Sequence, residues 1–187
     1  MSFQQIFGVF VSVGSVLFLI AAFSPISKVY AESESARRLA IIQENPRGWR
    51  ISQVLFGLGA VITAVAIGFW AVQIGEWLAY LSFLAMLVGA LLWSWLVYHR
   101  ALAPEAFAAG TLPYWPFVIY TILTQLGLAI FGSVLIMLLG SNLPGWVGWL
   151  NVVGSVLFFI LYLVFKDMPP FVYYLLTLIT GVMFYLA

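Results

Sequence analysis

Apolar residues run in six long stretches, 6–23, 51–72, 77–98, 117–140, 146–165 and 171–187, and polar positions gather in the gaps between them. None of the six carries an Asp, Glu, Lys, Arg or His in its interior. A hydrocarbon core is crossed by about 20 helical residues, so the pattern predicts an all-α polytopic integral membrane protein. Its expected architecture is a bundle of six transmembrane helices in a single transmembrane domain over 1–187, the first and last helices being the shortest.

The only long polar stretch, 24–50, contains a shorter helical pattern at 33–44. Glu34 stands three and four positions before Arg37 and Arg38, and Leu39, Ile41 and Ile42 supply an apolar side. That spacing predicts a short interfacial helix. Asn45 followed by Pro46 suits the cap and first turn of the second long helix, and Pro116 suits the first turn of the fourth. Pro169 and Pro170 break the chain between the last two apolar runs and predict antiparallel neighbours there. Residues 104–110 are expected to add a helical turn with no evident chemistry.

Charge gives this pattern a direction. Lys28, Arg37, Arg38, Arg47 and Arg50 lie in the first gap, Arg100 in the third and Lys166 in the fifth, whereas 73–76 and 141–144 have no basic side chain. Basic loops are retained on the cytoplasmic side, so the expected topology places 24–50 in the cytoplasm and both termini outside, in the plasma (inner) membrane. The same rule argues against a cleaved signal peptide in the first run, since cleavage there would require the most basic loop to be translocated. Tyr and Trp cluster at both ends of the runs, as amphipathic rings at headgroup depth do.

Composition narrows the functions. The chain is 65% hydrophobic and only 7% charged. Soluble domains carry roughly 25% charged residues, several times more. Seven basic against six acidic side chains leave a net charge of +1, so nucleic acid is not an expected partner. Cysteine is absent, which removes thiolate catalysis and thiolate metal sites. His99 is the sole histidine and has no intramembrane carboxylate to complete a metal site. No G-x-S-x-G motif is present. No cofactor, metal site or catalytic residue is therefore expected, and the chain is read as non-catalytic.

The candidate site residues are of three kinds. Thr121 and Gln125 lie one turn apart inside the fourth apolar run, and a primary amide facing hydrocarbon would be unsatisfied. Their stripe is expected to face the bundle interior or a partner, for a ligand or an interhelical polar contact. Arg37, Arg38, Arg47 and Arg50 are candidates for anionic-lipid contact. Three acids, Glu32, Glu34 and Glu44, set against five basic residues reduce that loop to net +2. Such a charge is worth about 2 kcal/mol of attraction to an anionic surface. Ala60, Ala64 and Gly68, with Ala85 and Gly89, recur every four residues as helix-packing stripes.

An internal echo joins the first and fifth runs: VSVGSVLFLI at 11–20 and NVVGSVLFFI at 151–160 agree at seven of ten positions. A small membrane alphabet favours shared packing chemistry over duplication. The expected function is an accessory or scaffold subunit of a larger membrane assembly, with membrane lipids and another membrane protein or a second copy as partners. The alternative is a small transporter, channel or receptor for an apolar molecule or lipid, using a neutral cavity between helices.

Overall fold

The computed structural model describes residues 1–138, 145–165 and 170–187. Every regular element among them is helical, and five helices are long and apolar enough to cross a membrane: α1 (Phe3–Ala22), α4 (Pro46–Ile74), α5 (Trp77–Leu102), α7 (Trp115–Met137) and α8 (Trp146–Phe165). The last, α9 (Phe171–Leu186), is apolar but has 16 residues, or about 24 Å of rise, less than a typical hydrocarbon core. Short elements follow α1: a 3-10 turn (Pro25–Ser27), α2 (Lys28–Ala31) and α3 (Ser35–Glu44). A further one, α6 (Pro104–Ala108), follows α5. The fifth polar gap, with Lys166 and Asp167, lies outside the described residues, as does 141–144.

Local chemistry explains the boundaries. The Ser2 hydroxyl accepts from the Gln5 backbone N–H at 3.2 Å while the Gln5 side chain accepts from the Ser2 N–H at 3.0 Å, a reciprocal cap that starts α1 three residues before the apolar run begins. Asn45 Oδ1 accepts from the Gly48 N–H at 2.9 Å, and Pro46 follows it at the head of α4. Gly75 ends α4 with φ of 74°, a left-handed conformation in which a side chain would be strained.

The long helices pack antiparallel in the order α9, α1, α4, α5, α7, α8. Small residues set the closest approaches. A methyl on Gly8 would lie 2.5 Å from the Gly181 carbonyl oxygen, and one on Gly132 would lie 2.6 Å from the Gly148 carbonyl oxygen, so these backbones touch directly. Of the packing stripes, Ala60, Ala64 and Ala85 are buried; Gly68 lies against the Phe83 ring, and Gly89 faces Thr124 and the Tyr120 carbonyl.

The expected neighbours α8 and α9 do meet, through Asn151 Nδ2 donating to Thr180 Oγ1 at 2.8 Å and Gly154 against Leu176, but the contact is slight. The extensive partner of α9 is α1, where Ser15 and Thr177 hydroxyls lie 2.8 Å apart. The echoed segments thus flank α9 on two sides, and each is hydrogen-bonded to it through a polar side chain.

At one end of the bundle, Phe7 of α1, Trp70 of α4, Phe131 of α7 and Phe184 of α9 interlock with centroid distances from 4.5 to 6.5 Å. At the opposite end lie α2, α3 and α6, where Ile26, Val29, Ile42 and Trp49 form a small separate core joined by Ile41 and Phe107. The six described cationic side chains belong to this second end, here termed the basic end.

Candidate functional site

The short elements of the basic end close over the bundle through bonds between residues distant in sequence. Trp49 Nε1 donates to the Arg100 carbonyl at 3.1 Å, tying α4 to the end of α5. Arg38 of α3 donates through Nε and Nη2 to the Glu32 carbonyl at 3.2 and 2.6 Å, and through Nη1 to the Ala108 carbonyl at 3.3 Å. Phe107 of α6 packs on Trp49 at 4.9 Å and on Tyr30 at 5.8 Å.

Beneath this cap is a cavity of about 660 Å³. Its walls are aromatic: Phe18, Phe56, Trp93 and Phe117 come from four long helices, Phe171 from α9, and Tyr30, Phe107 and Tyr114 from the cap and its edges. The volume suits a small organic ligand or part of a lipid, and apolar walls with few polar groups are the usual makeup of such sites.

Two cations line the same cavity, and no Asp or Glu among the described residues does. The guanidinium carbons of Arg100 and Arg38 lie 5.3 and 5.7 Å from the Phe107 ring centre. Arg100 is also 5.2 Å from the Trp93 ring and 5.9 Å from that of Tyr30. Aromatic faces attract a guanidinium by about 0.5–2 kcal/mol each, but they do not neutralise it. The ion pairs among the described residues are Lys28–Glu44 at 3.7 Å and Arg37–Glu34 at 2.9 Å, and neither involves Arg38 or Arg100. A half-buried charge without a counter-ion is costly, and among the described residues Arg38 and Arg100 have none.

The remaining polar side chains in and beside the wall are neutral. Trp93 is 2% exposed, and its indole N–H has no acceptor among the described residues. Gln53 Nε2 donates to the Tyr30 hydroxyl at 2.9 Å. Burial pushes the Tyr30 hydroxyl above its ordinary pKa of 10.0, and the neighbouring Arg100 cation and the Gln53 hydrogen bond offset this only in part. The phenol therefore stays protonated at neutral pH.

The other sequence candidates fall elsewhere. Arg37 is held by Glu34, and Arg47 and Arg50 are exposed on the first two turns of α4. Arg38 departs from its three companions by turning inward. Thr121 and Gln125 are buried, at 0% and 3% exposure, and approach the Tyr173 hydroxyl of α9. Neither the Gln125 amide nor the Thr121 and Tyr173 hydroxyls complete a hydrogen bond there, and Ser155 beside them is likewise unpartnered. A groove of about 250 Å³ between α7 and α8 borders Gln125 and Ser155. His99 is partly exposed, and its Nδ1 lies 2.8 Å from the Trp95 carbonyl. No cluster of three or more metal-ligating side chains occurs among the described residues.

No known protein family, curated protein or solved structure matches this chain. Its function is argued from site chemistry alone.

Sequence reasoning missed Arg100 and Phe107 as cavity residues. Arg100 was legible as a topology charge, and 104–110 as a turn without chemistry. Their shared signal was an Arg at a helix end followed seven residues later by a Phe, a spacing too common to stand out.

Proposed function

We propose that this chain is a non-catalytic integral membrane protein that binds an apolar or lipid molecule in the cavity at its basic end, as a small receptor or transporter. The observation that carries this reading is the 660 Å³ aromatic chamber. The reading includes six spanning helices, α9 among them, with the basic end in the cytoplasm and both termini outside, in a plasma (inner) membrane. Segregation of the basic residues supports that orientation. Helix α3 then lies along the inner leaflet, where exposed Arg37, Arg47 and Arg50 meet anionic lipid.

An accessory role in a larger assembly is the second reading, favoured by α8. Only 28% of its most apolar 18-residue window is buried within the chain, the lowest share of the five long helices, and such a face suits another membrane protein or a second copy.

Saturable binding of a fluorescent acyl lipid by the purified protein in liposomes tests the first reading, and substituting Ala22 in the chamber wall by Trp should abolish it. Gentle extraction that retains a stoichiometric membrane partner, with no saturable lipid binding, would favour the second. Single cysteines at Ser2 and Ser35 test orientation, because the chain has none of its own. Labelling of position 35 by an impermeant reagent in intact cells, with protection of position 2, would reverse the topology.

A further inference from the structure

We infer that the ligand of the chamber is an anionic amphiphile, with a phosphate or carboxylate head held by Arg100 and an acyl body lying against the rings. This rests on the chamber being a lipid site and adds the chemistry of the head. Three observations carry it.

First, the chamber is rich in donors and has no described anion of its own. Arg100 and Arg38 line it, no acidic side chain among the described residues does, and no described carboxylate pairs with either. Second, the two arginines differ in what they have left to give. Arg38 commits three of its five N–H donors to the Glu32 and Ala108 carbonyls, all three nitrogens being engaged, which fixes its place in the cap. Arg100 contacts the Trp93, Phe107 and Tyr30 rings and the Tyr30 hydroxyl, so among the described residues its planar fork keeps N–H groups for a paired-oxygen acceptor. Third, Trp93 is buried in the same wall with an N–H that has no described acceptor. A neutral lipid would leave the charge on Arg100 without any counter-ion among the described residues. A zwitterionic head would bring a third cation toward the two already there. A headgroup bearing a single anionic group answers both problems and leaves its tail on Phe18, Phe56 and Phe117.

The experiment uses the full chain in nanodiscs of neutral lipid and measures binding of phosphatidic acid, oleate and diacylglycerol, with inorganic phosphate as competitor. Phosphatidic acid or oleate should bind saturably and at least tenfold more tightly than diacylglycerol. Arg100→Gln should remove that preference, so that phosphatidic acid and oleate bind no more tightly than diacylglycerol. Arg100→Lys, which keeps the charge but loses the fork, should fall between the two, and it carries the test if the glutamine variant does not fold.

Equal binding of anionic and neutral lipids, unaffected by either variant, would overturn the inference while leaving the chamber a lipid site. No saturable binding of any lipid would overturn the chamber reading itself. Displacement by inorganic phosphate at the concentration at which phosphatidic acid binds would show that the head alone is recognised, and would overturn the amphiphile.

Discussion

The same four helices contribute a ring to each end of the bundle. Phe7, Trp70, Phe131 and Phe184 belong to α1, α4, α7 and α9, as do Phe18, Phe56, Phe117 and Phe171 at the basic end. The first set interlocks edge to face and fills its own centre. The second lines about 660 Å³. Aromatic content therefore does not decide whether a bundle end is packed or hollow. What differs is the company of the rings: one end has neighbours of its own kind, whereas the other has two guanidinium groups and a cap of short helices that stands on them.

The sharpest way to break this contrast is to remove one ring from each end. Phe184→Ala opens a void in a filled layer and should cost about 3–5 kcal/mol, while Phe117→Ala enlarges space already present and should cost less than about 2 kcal/mol. Unfolding of the two variants in the same detergent measures the difference, and equal losses would mean that the chamber is as tightly packed as the layer at the other end.

Arg100→Met tests the role of charge directly. Replacing a cation that has no counter-ion among the described residues with an apolar chain of similar length should raise stability by about 1–3 kcal/mol and abolish preference for anionic ligands. A marked loss of stability would show that the guanidinium supports the cap rather than serving a ligand.

Between the two aromatic ends lies the polar seam of Thr121, Gln125, Ser155 and Tyr173. Neither atom of the Gln125 amide is hydrogen-bonded. Gln125→Leu should therefore leave stability unchanged or raise it by about 1 kcal/mol, as thermal unfolding would show. A loss would indicate that the seam closes its hydrogen bonds in the membrane.

The smallest effect concerns pH. A raised Tyr30 pKa means that the folded state holds a proton the unfolded chain releases near pH 10, so the associated stability is complete below that pH and is lost as pH climbs through the folded value. Comparing wild type with Tyr30→Phe from pH 8 to 11 isolates this contribution. Parallel curves would place the hydroxyl in open water.

Helix positions were legible because hydropathy is a property of consecutive residues. Asn45 with Pro46, and Pro116, marked true helix starts, whereas the cap formed by Ser2 and Gln5 escaped notice because it precedes the apolar run. The interfacial pattern at 33–44 begins two residues later as α3, with Glu34 as its capping position.

The chamber was not legible, because it depends on contacts that cross the sequence. Arg38 reaches a carbonyl 70 positions away and Trp49 one that is 51 away. Hydropathy also treats Arg38 like Arg37, although successive side chains leave a helix in directions about 100° apart. That angle is enough to send one to Glu34 on the surface and the other into the cap.

The Ser15–Thr177 contact joins positions 162 residues apart, and this has a consequence for biosynthesis. Along a growing chain, the flank of α1 that meets α4 finds its partner early, but the flank bearing Gly8 and Ser15 must wait for α9. During that interval a hydroxyl and a strip of bare backbone face lipid or a temporary neighbour. Closure of the ring is therefore a late event in maturation, and until it occurs the chamber lacks the wall that Phe171 supplies.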